Sequence, residues 1–297
     1  MVVPHKTCRT VFLNLLVIIS ISHFKKLHTP TNLIILSLAV ADMLLGLVMP
    51  IEATRLIETC WYFGETSCGL YSIFIAMLLS ASLSNLVLIA VDRYVAVCHP
   101  LQYPQKITMT KTLISISLSW FCSSAYNTAF VINNGYFDIS HQTDVCYGEC
   151  SVQMGFAWRV TDLIMSFIFP CIFIISFYLR IFYVVHLQVN VINSLMKSGR
   201  CVNEGSLRRK SESKAALTLG IIVTVYLLCY IPYYICSITV ISSTTINVLT
   251  WVVYFNSGLN PMVYALFYPW FKKTVKRILT LKIFWPASSL VNILTEH

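Results

Sequence analysis

Seven apolar runs, at about 11–22, 33–51, 70–91, 113–132, 160–185, 215–241 and 245–267, follow one another along this 297-residue chain. Most come close to the roughly 20 residues that a helix needs to cross a bilayer. In hydrocarbon a backbone must satisfy its own hydrogen bonds, so runs of this length fold as helices packed into a bundle. The chain is 57% hydrophobic and only 11% charged, with a mean hydropathy of +0.73, far outside the range of a soluble globular protein. The expected fold is therefore an all-α membrane protein: a seven-transmembrane helix bundle within residues 1–285, followed by a tail, 286–297.

Seven spans put the two termini on opposite sides of the membrane. Lys and Arg are retained in short cytoplasmic loops, and all but four of the 21 basic residues fall on one side, the exceptions being Lys6, Arg9, Arg55 and Arg159. This predicts a multi-pass plasma-membrane protein with its N-terminus extracellular and its C-terminus cytoplasmic. The net charge of +9 then reflects topology rather than nucleic-acid binding. The first run is short for a span, and Pro4, His5, Lys6 and Arg9 stand within the depth the membrane should occupy. The first helix therefore reads as truncated, and Met1 to about Thr10 as a truncated or mispredicted start. Neither a signal peptide nor an Asn-x-Ser/Thr sequon is found.

The last span holds Pro261 in its interior, where a soluble helix would lose a hydrogen bond and clash with the preceding turn. Among neighbouring helices the freed carbonyl can be satisfied, so Asn260-Pro261 reads as a built-in kink, with Tyr264 one turn further on the same face. This Asn-Pro-x-x-Tyr set resembles the seventh helix of rhodopsin-like G-protein-coupled receptors. The longer run Asn256-Ser257-x-x-Asn260-Pro261-x-x-Tyr264-x-x-x-Tyr268-x-Trp270-Phe271 is similar to the signature of the trace amine-associated receptors. Asn14 in the first run and Trp120 in the fourth match polar and packing residues of that family.

The resemblance implies roles for residues that physics alone already marks as unusual. Asp42 is a carboxylate deep in hydrocarbon, which costs several kcal/mol unless it is paired or hydrated. Its family counterpart joins polar groups of helices three and seven around a sodium ion, implying such a site at Asp42, Ser82, Asn256 and Ser257; the alternative is a hydrogen-bonded network without an ion. Asp92-Arg93-Tyr94 resembles the superfamily's switch. A guanidinium at the membrane edge needs an acidic partner, and Asp92 and Glu212 are both candidates. Release of Arg93 from Glu212 would let helix six swing out, with Tyr178 and Tyr264 stabilising the open form and Leu101 anchoring a G protein. Tyr230 stands where the family has a Trp toggle, and Tyr226 replaces a Phe one turn below.

At the outer end, the resemblance implies a Cys68–Cys150 disulfide. Cys146 is left with Cys60, Cys8 or no partner, and Cys122, Cys171, Cys229 and Cys236 read as small buried apolar residues. Glu52 and Arg55 are spaced for a local ion pair. The position at which aminergic receptors carry their helix-three Asp is Ile75, which removes the usual ammonium counter-ion. A fish-type subset of the family lacks that Asp and carries one in helix five, the place of Asp162, so Asp162 is the expected ammonium partner; the alternative is an intrahelical pair with Arg159. Trp158, Tyr233, Tyr234, Trp251 and Tyr254 match pocket positions where cation–π contacts would complete an amine site.

The loop 186–211 is polar and is expected to be flexible, with serines at 206 and 211 and another at 213 just beyond it. Over 270–281, Phe271, Val275, Ile278 and Leu279 fall on one face and Lys272, Lys273, Lys276 and Arg277 on the other, a short amphipathic eighth helix lying on the inner leaflet. The resemblance as a whole implies a chemosensory receptor for small protonated amines that activates a stimulatory G protein and raises cyclic AMP. A rhodopsin-like receptor for a non-amine ligand and a truncated, non-signalling product are the alternatives. A transporter is disfavoured because no internal repeat is found, an opsin because span seven has no lysine, and an enzyme because no nucleophile, base and orienting group cluster.

Overall fold

The computed structural model describes residues 2–58, 61–134, 136–137, 150, 152–153, 155–197, 204–239, 243–285 and 288–291. The long helices are α1 (Val2–His23), α2 (Pro30–Glu58), α3 (Glu65–Cys98), α5 (Met109–Asn134), α7 (Phe169–Lys197), α8 (Glu204–Ile238) and α9 (Ser243–Phe267). Two short helices, α4 (Tyr103–Lys106) and α6 (Phe156–Asp162), stand before α5 and α7, and α10 (Pro269–Leu279) follows α9. Among the described residues, four segments are long and apolar enough by themselves to cross a membrane: Pro30–Ile57, Thr66–Cys98, Phe156–Val191 and Gly220–Ile238.

The helices run beyond the apolar stretches that mark them, because hydrogen bonding along a helix does not stop where hydrocarbon does. The first is the clearest case: α1 is 22 residues long and carries Pro4 in its opening turn, where a missing N–H costs nothing. The polar loop expected over 186–211 is mostly helical, with α7 reaching Lys197 and α8 starting at Glu204. The bundle is all-α as expected, and one short strand pair lies outside it. Tyr136–Phe137 and Val152–Gln153 pair as two antiparallel strands of two residues each, with Tyr136 opposite Gln153.

Helix α3 packs against α2, α5, α7 and α8 and so runs through the middle of the bundle, while α1 closes the ring against α2 and α9. The interior is apolar and close-packed around Leu38, Leu86, Ile89, Ile174, Tyr226 and Tyr264. The outward surface is apolar too, with Phe121, Leu179, Leu228 and Ile235 each more than half exposed. A protein apolar on both faces of its helices matches lipid outside and a packed core inside. Cys122 belongs to that outer surface, contrary to the expectation that it is buried, whereas Cys171 is in the core.

Helix α10 seats Trp270 and Phe271 in the core and packs Val275 and Ile278 against it, with Lys272 and Lys276 exposed. Leu279 faces outward at 61% exposure rather than joining the inner face.

Small residues set how closely α1 approaches its neighbours. A Cβ added to Gly258 of α9 would lie 2.7 Å from Thr10 Oγ1, and one on Gly46 of α2 would lie 3.0 Å from Val11 Cγ2. Thr10 is buried at this crossing, and Asn14 Nδ2 donates to the backbone oxygens of Thr10 and Ser257 at 3.0 and 3.1 Å, bridging α1 and α9. Gly258→Ala is expected to destabilise the protein by about 1–3 kcal/mol through overpacking. Adding Thr10→Ala should restore most of the loss, as read by the thermal unfolding midpoint of the detergent-solubilised protein.

Candidate functional site

Four polar clusters lie along the bundle. At the end bearing the basic loops, Asp92 accepts from Arg93 Nε at 2.8 Å and also from Arg93 Nη2. Thr31 Oγ1 of α2 and the Tyr103 phenol of α4 donate to the same carboxylate at 2.8 and 2.9 Å, and Arg93 Nη2 reaches Thr31 Oγ1 at 2.6 Å. Both ions are nearly inaccessible, so the pair persists only because hydrogen bonds occupy its remaining lone pairs and protons. Burial and the neighbouring Asp92 charge push the Tyr103 phenol up to about 12, so it stays a donor at physiological pH. Tyr94 packs against Phe177 of α7 at 5.1 Å between ring centres. The Glu212 side chain, the other expected partner of Arg93, lies outside the described residues. Leu101, two residues before α4, is 92% exposed.

Halfway along the bundle, Asp42 is fully buried. Asn260 Nδ2, beside Pro261 in α9, donates to it at 2.7 Å, Ser82 Oγ of α3 at 3.3 Å, and the Ser257 hydroxyl also bonds to it. Among the described residues no cation pairs with it. Asn256 Oδ1 is buried with no hydrogen-bond partner among those residues, and so are the hydroxyls of Tyr178 and Tyr264. Tyr226 and Tyr230 of α8 stack at 4.0 Å and hydrogen-bond through their hydroxyls, which satisfies two groups that would otherwise be costly to bury.

At the opposite end, Cys68 and Cys150 form a disulfide that ties Cys150, between α5 and α6 in the chain, to the start of α3. Cys146 and Cys60 lie outside the described residues, and Cys8 is exposed. Glu52 and Arg55 pair as their spacing predicts, at 2.6 Å, but the cluster is larger than that. Arg55 Nη1 donates to the Cys150 carbonyl at 2.9 Å, and the Tyr71 phenol donates to Glu52 Oε2 at 2.8 Å. Glu52 is 2% exposed, so α2, α3 and Cys150 are joined around one buried carboxylate.

The fourth cluster is built on α6. Asp162 is its last residue, and a six-residue π-helical segment, Leu163–Ile168, follows before α7 and Pro170. Such wide turns recur at functional sites because they rotate side chains out of the regular helical series. Asp162 Oδ1 accepts from Ser166 Oγ at 2.7 Å and from the Tyr126 phenol of α5 at 3.4 Å. Arg159 does not pair with it; its Nη1 lies 3.5 Å from the Ser237 carbonyl of α8. Asp162 is half-buried, and among the described residues no basic group forms an ion pair with it.

Tyr233 and Tyr234 lie near enough to feel its charge, and Tyr234 stacks on Phe167 at 4.5 Å. Ile75 is buried among Leu45, Met49, Leu78 and Tyr254, an apolar cluster in place of a counter-ion. Trp251 stacks on Phe255 beside Tyr254. Trp158 is 46% exposed and meets Phe130 edge-on, and Phe130 stacks on Tyr126, whose phenol donates to Asp162.

The description "7 transmembrane receptor (rhodopsin family)" belongs to the family model that matches residues 13–264. Trace amine-associated receptor 13c of Danio rerio is 41% identical over 298 residues, covering 96% of this chain and 86% of the relative. Trace amine-associated receptor 9 of Mus musculus is 38% identical (97% and 86% covered), and trace amine-associated receptor 1 of Macaca mulatta 40% identical (95% and 88% covered). The chain belongs to the trace amine-associated receptors of the rhodopsin family. It is a multi-pass membrane receptor, not an enzyme.

In this trace amine-associated receptor the partners most easily missed from sequence are hydroxyls. Ser166 had a signal, since it stands four residues after Asp162 and so on the same helical face. Tyr126, Thr31 and Tyr103 had none, being brought in from other helices. Breaking a buried pair is costly because the partner charge stays behind. Arg55→Met is therefore expected to destabilise the receptor by about 2–5 kcal/mol, and Glu52→Gln combined with Arg55→Met to recover much of that in a thermal-shift measurement.

Proposed function

We propose that this receptor is a chemosensory receptor for small protonated amines, with Asp162 as the ammonium partner. The observation that carries the reading is a carboxylate at membrane depth held by two hydroxyls, with no basic partner among the described residues. A charge so placed calls for a cation, and a primary ammonium offers three donors to it. The names of the relatives, trace amine-associated receptors, favour the same ligand class. Tyr233 and Tyr234 supply aromatic faces close to that charge, with Tyr254 and Trp251 on the side of α9, while the apolar cluster around Ile75 leaves the usual counter-ion position closed to an ammonium.

On this reading the N-terminus and the disulfide end face outward, the basic loops and α10 face the cytoplasm, and the receptor works at the plasma membrane. Asp92 and Arg93 hold the resting state, and a stimulatory G protein docks where Leu101 is exposed, raising cyclic AMP. The unpartnered hydroxyls of Tyr178 and Tyr264 favour rearrangement, since buried donors without acceptors cost about 1–3 kcal/mol each. The residues around Asp42 also fit a sodium ion. Asp42, Ser82, Asn256 and Ser257 would hold it, and the unpartnered Asn256 Oδ1 is an acceptor suited to a hard cation. Its chemistry there would be charge neutralisation.

The test is cyclic AMP in cells expressing the receptor, challenged with alkyl, aromatic and diamine ligands. Asp162→Asn keeps an acceptor for Ser166 and Tyr126 but removes the charge, and should raise the half-maximal concentration of an active amine roughly 100-fold at unchanged surface level. An equal response in both proteins would overturn the assignment of Asp162.

A further inference from the structure

Near the basic end, a cleft holding about 410 Å³ of empty space, counted out to its open mouth, lies between α2, α3, α4 and α5. Its floor is apolar, made by Ile34 of α2, Leu88 and Val91 of α3, and Ile107 just after α4. Two exposed lysines also line it, Lys106, the last residue of α4, and Lys111 in the first turn of α5, together with Thr112 and Ser115. Lys111 Nζ donates to the Gln105 carbonyl at 2.9 Å, which holds the ammonium beside α4 and leaves it further donors. Asp92 also borders the cleft, but its carboxylate is committed to Arg93, Thr31 and Tyr103, so the uncompensated charge of the lining is positive.

The cleft does not end in water on every side. Lys111, Ser115 and Leu118 share one face of α5 by their spacing of four and three residues. Leu118, Ile114 and Phe121 are 57%, 61% and 70% exposed on the membrane-facing surface of that helix. A soluble phosphate would leave the apolar floor uncovered, and an uncharged lipid would leave two ammonium groups without a partner. The matching occupant has an acidic head and an acyl chain.

We propose that this cleft binds one anionic phospholipid, with its phosphate between Lys106 and Lys111 and a chain running along α5. In the orientation proposed above, the lipid comes from the cytoplasmic leaflet, where anionic lipids concentrate. The site does not depend on the identity of the receptor's ligand. It bears on the Asp92–Arg93 pair because α4 carries both Lys106 and Tyr103, and Tyr103 donates to Asp92. A lipid that ties α4 to α5 steadies the helix from which that phenol is presented.

The experiment is native mass measurement of the intact receptor, titrated in detergent with phosphatidylserine or phosphatidylcholine. One phosphatidylserine should be retained at concentrations where phosphatidylcholine is not. Lys106→Gln with Lys111→Gln should weaken that binding roughly 30-fold, about fivefold per lysine. Lys272→Gln with Lys276→Gln, on the exposed side of α10, should leave it unchanged, and soluble glycerophosphoserine should not displace it. Equal retention by the Lys106/Lys111 variant, equal loss in the α10 variant, or displacement by the soluble headgroup would each overturn the proposal.

Discussion

A buried carboxylate in a membrane bundle must be satisfied from within, and most of the polar structure of this receptor follows from how four of them are treated. Glu52 and Asp92 are ion-paired, with Arg55 and Arg93, and their remaining lone pairs are taken by tyrosine and threonine hydroxyls. Asp42 and Asp162 are held by neutral donors alone among the described residues. The difference separates structure from exchange. A paired charge gains nothing from an incoming cation, because the site is already neutral and a second cation would be repelled. A carboxylate held only by hydroxyl and amide dipoles has no counter-ion among the described residues, and these two are the residues for which a sodium and an ammonium role are proposed.

The paired sites work as staples at the two ends of α3. Arg55 grips the carbonyl of Cys150, so that residue is held twice, once through the disulfide and once through a charged hydrogen bond. Asp92 gathers α2, α4 and its own helix in the same way. Each cluster would be costly if half made, which is why every lone pair matters and why single hydroxyls far apart in sequence have structural weight.

The sequence was most readable where partners are close along the chain or chemically distinctive. Glu52 and Arg55 three residues apart, Asp92 beside Arg93, the kink at Asn260-Pro261 and seven apolar runs needed no tertiary information. The disulfide came from likeness to a family, not from spacing. The hydroxyl partners stayed hidden, because serine, threonine and tyrosine are too common in membrane helices for any one to stand out. Thr31 and Tyr126 acquire their roles only when α2 meets α3 and α5 meets α6. Helix ends were not legible for another reason: hydropathy reports where hydrocarbon lies, while α7 and α8 continue as helices into polar sequence on either side of residues 198–203.

Helix α3 passes three of the polar clusters in turn, with Tyr71, Ser82 and Asp92 spread over roughly 30 Å of one helix. A receptor that takes its ligand's charge on α3 can pull directly on the helix that ends in Asp92 and Arg93. Here the α3 position is the apolar Ile75, packed among Leu45, Met49, Leu78 and Tyr254, and it offers a protonated amine nothing to hold. If the ammonium is held by Asp162, the force enters on a neighbouring element, at the end of α6 and against the π-helical segment, whose wider turn departs from the α-helical series on either side. From there the path runs down α7, which packs on both α3 and α8 and carries the buried hydroxyl of Tyr178, without a partner among the described residues. Phe167 in the π-helical segment stacks on Tyr234 and lies parallel to Tyr230, so a rotation of that turn would be felt in α8 before it reached α3. With Asp162 as the counter-ion, the ligand would thus pull on a different element, while the Asp92–Arg93 pair stays where it is.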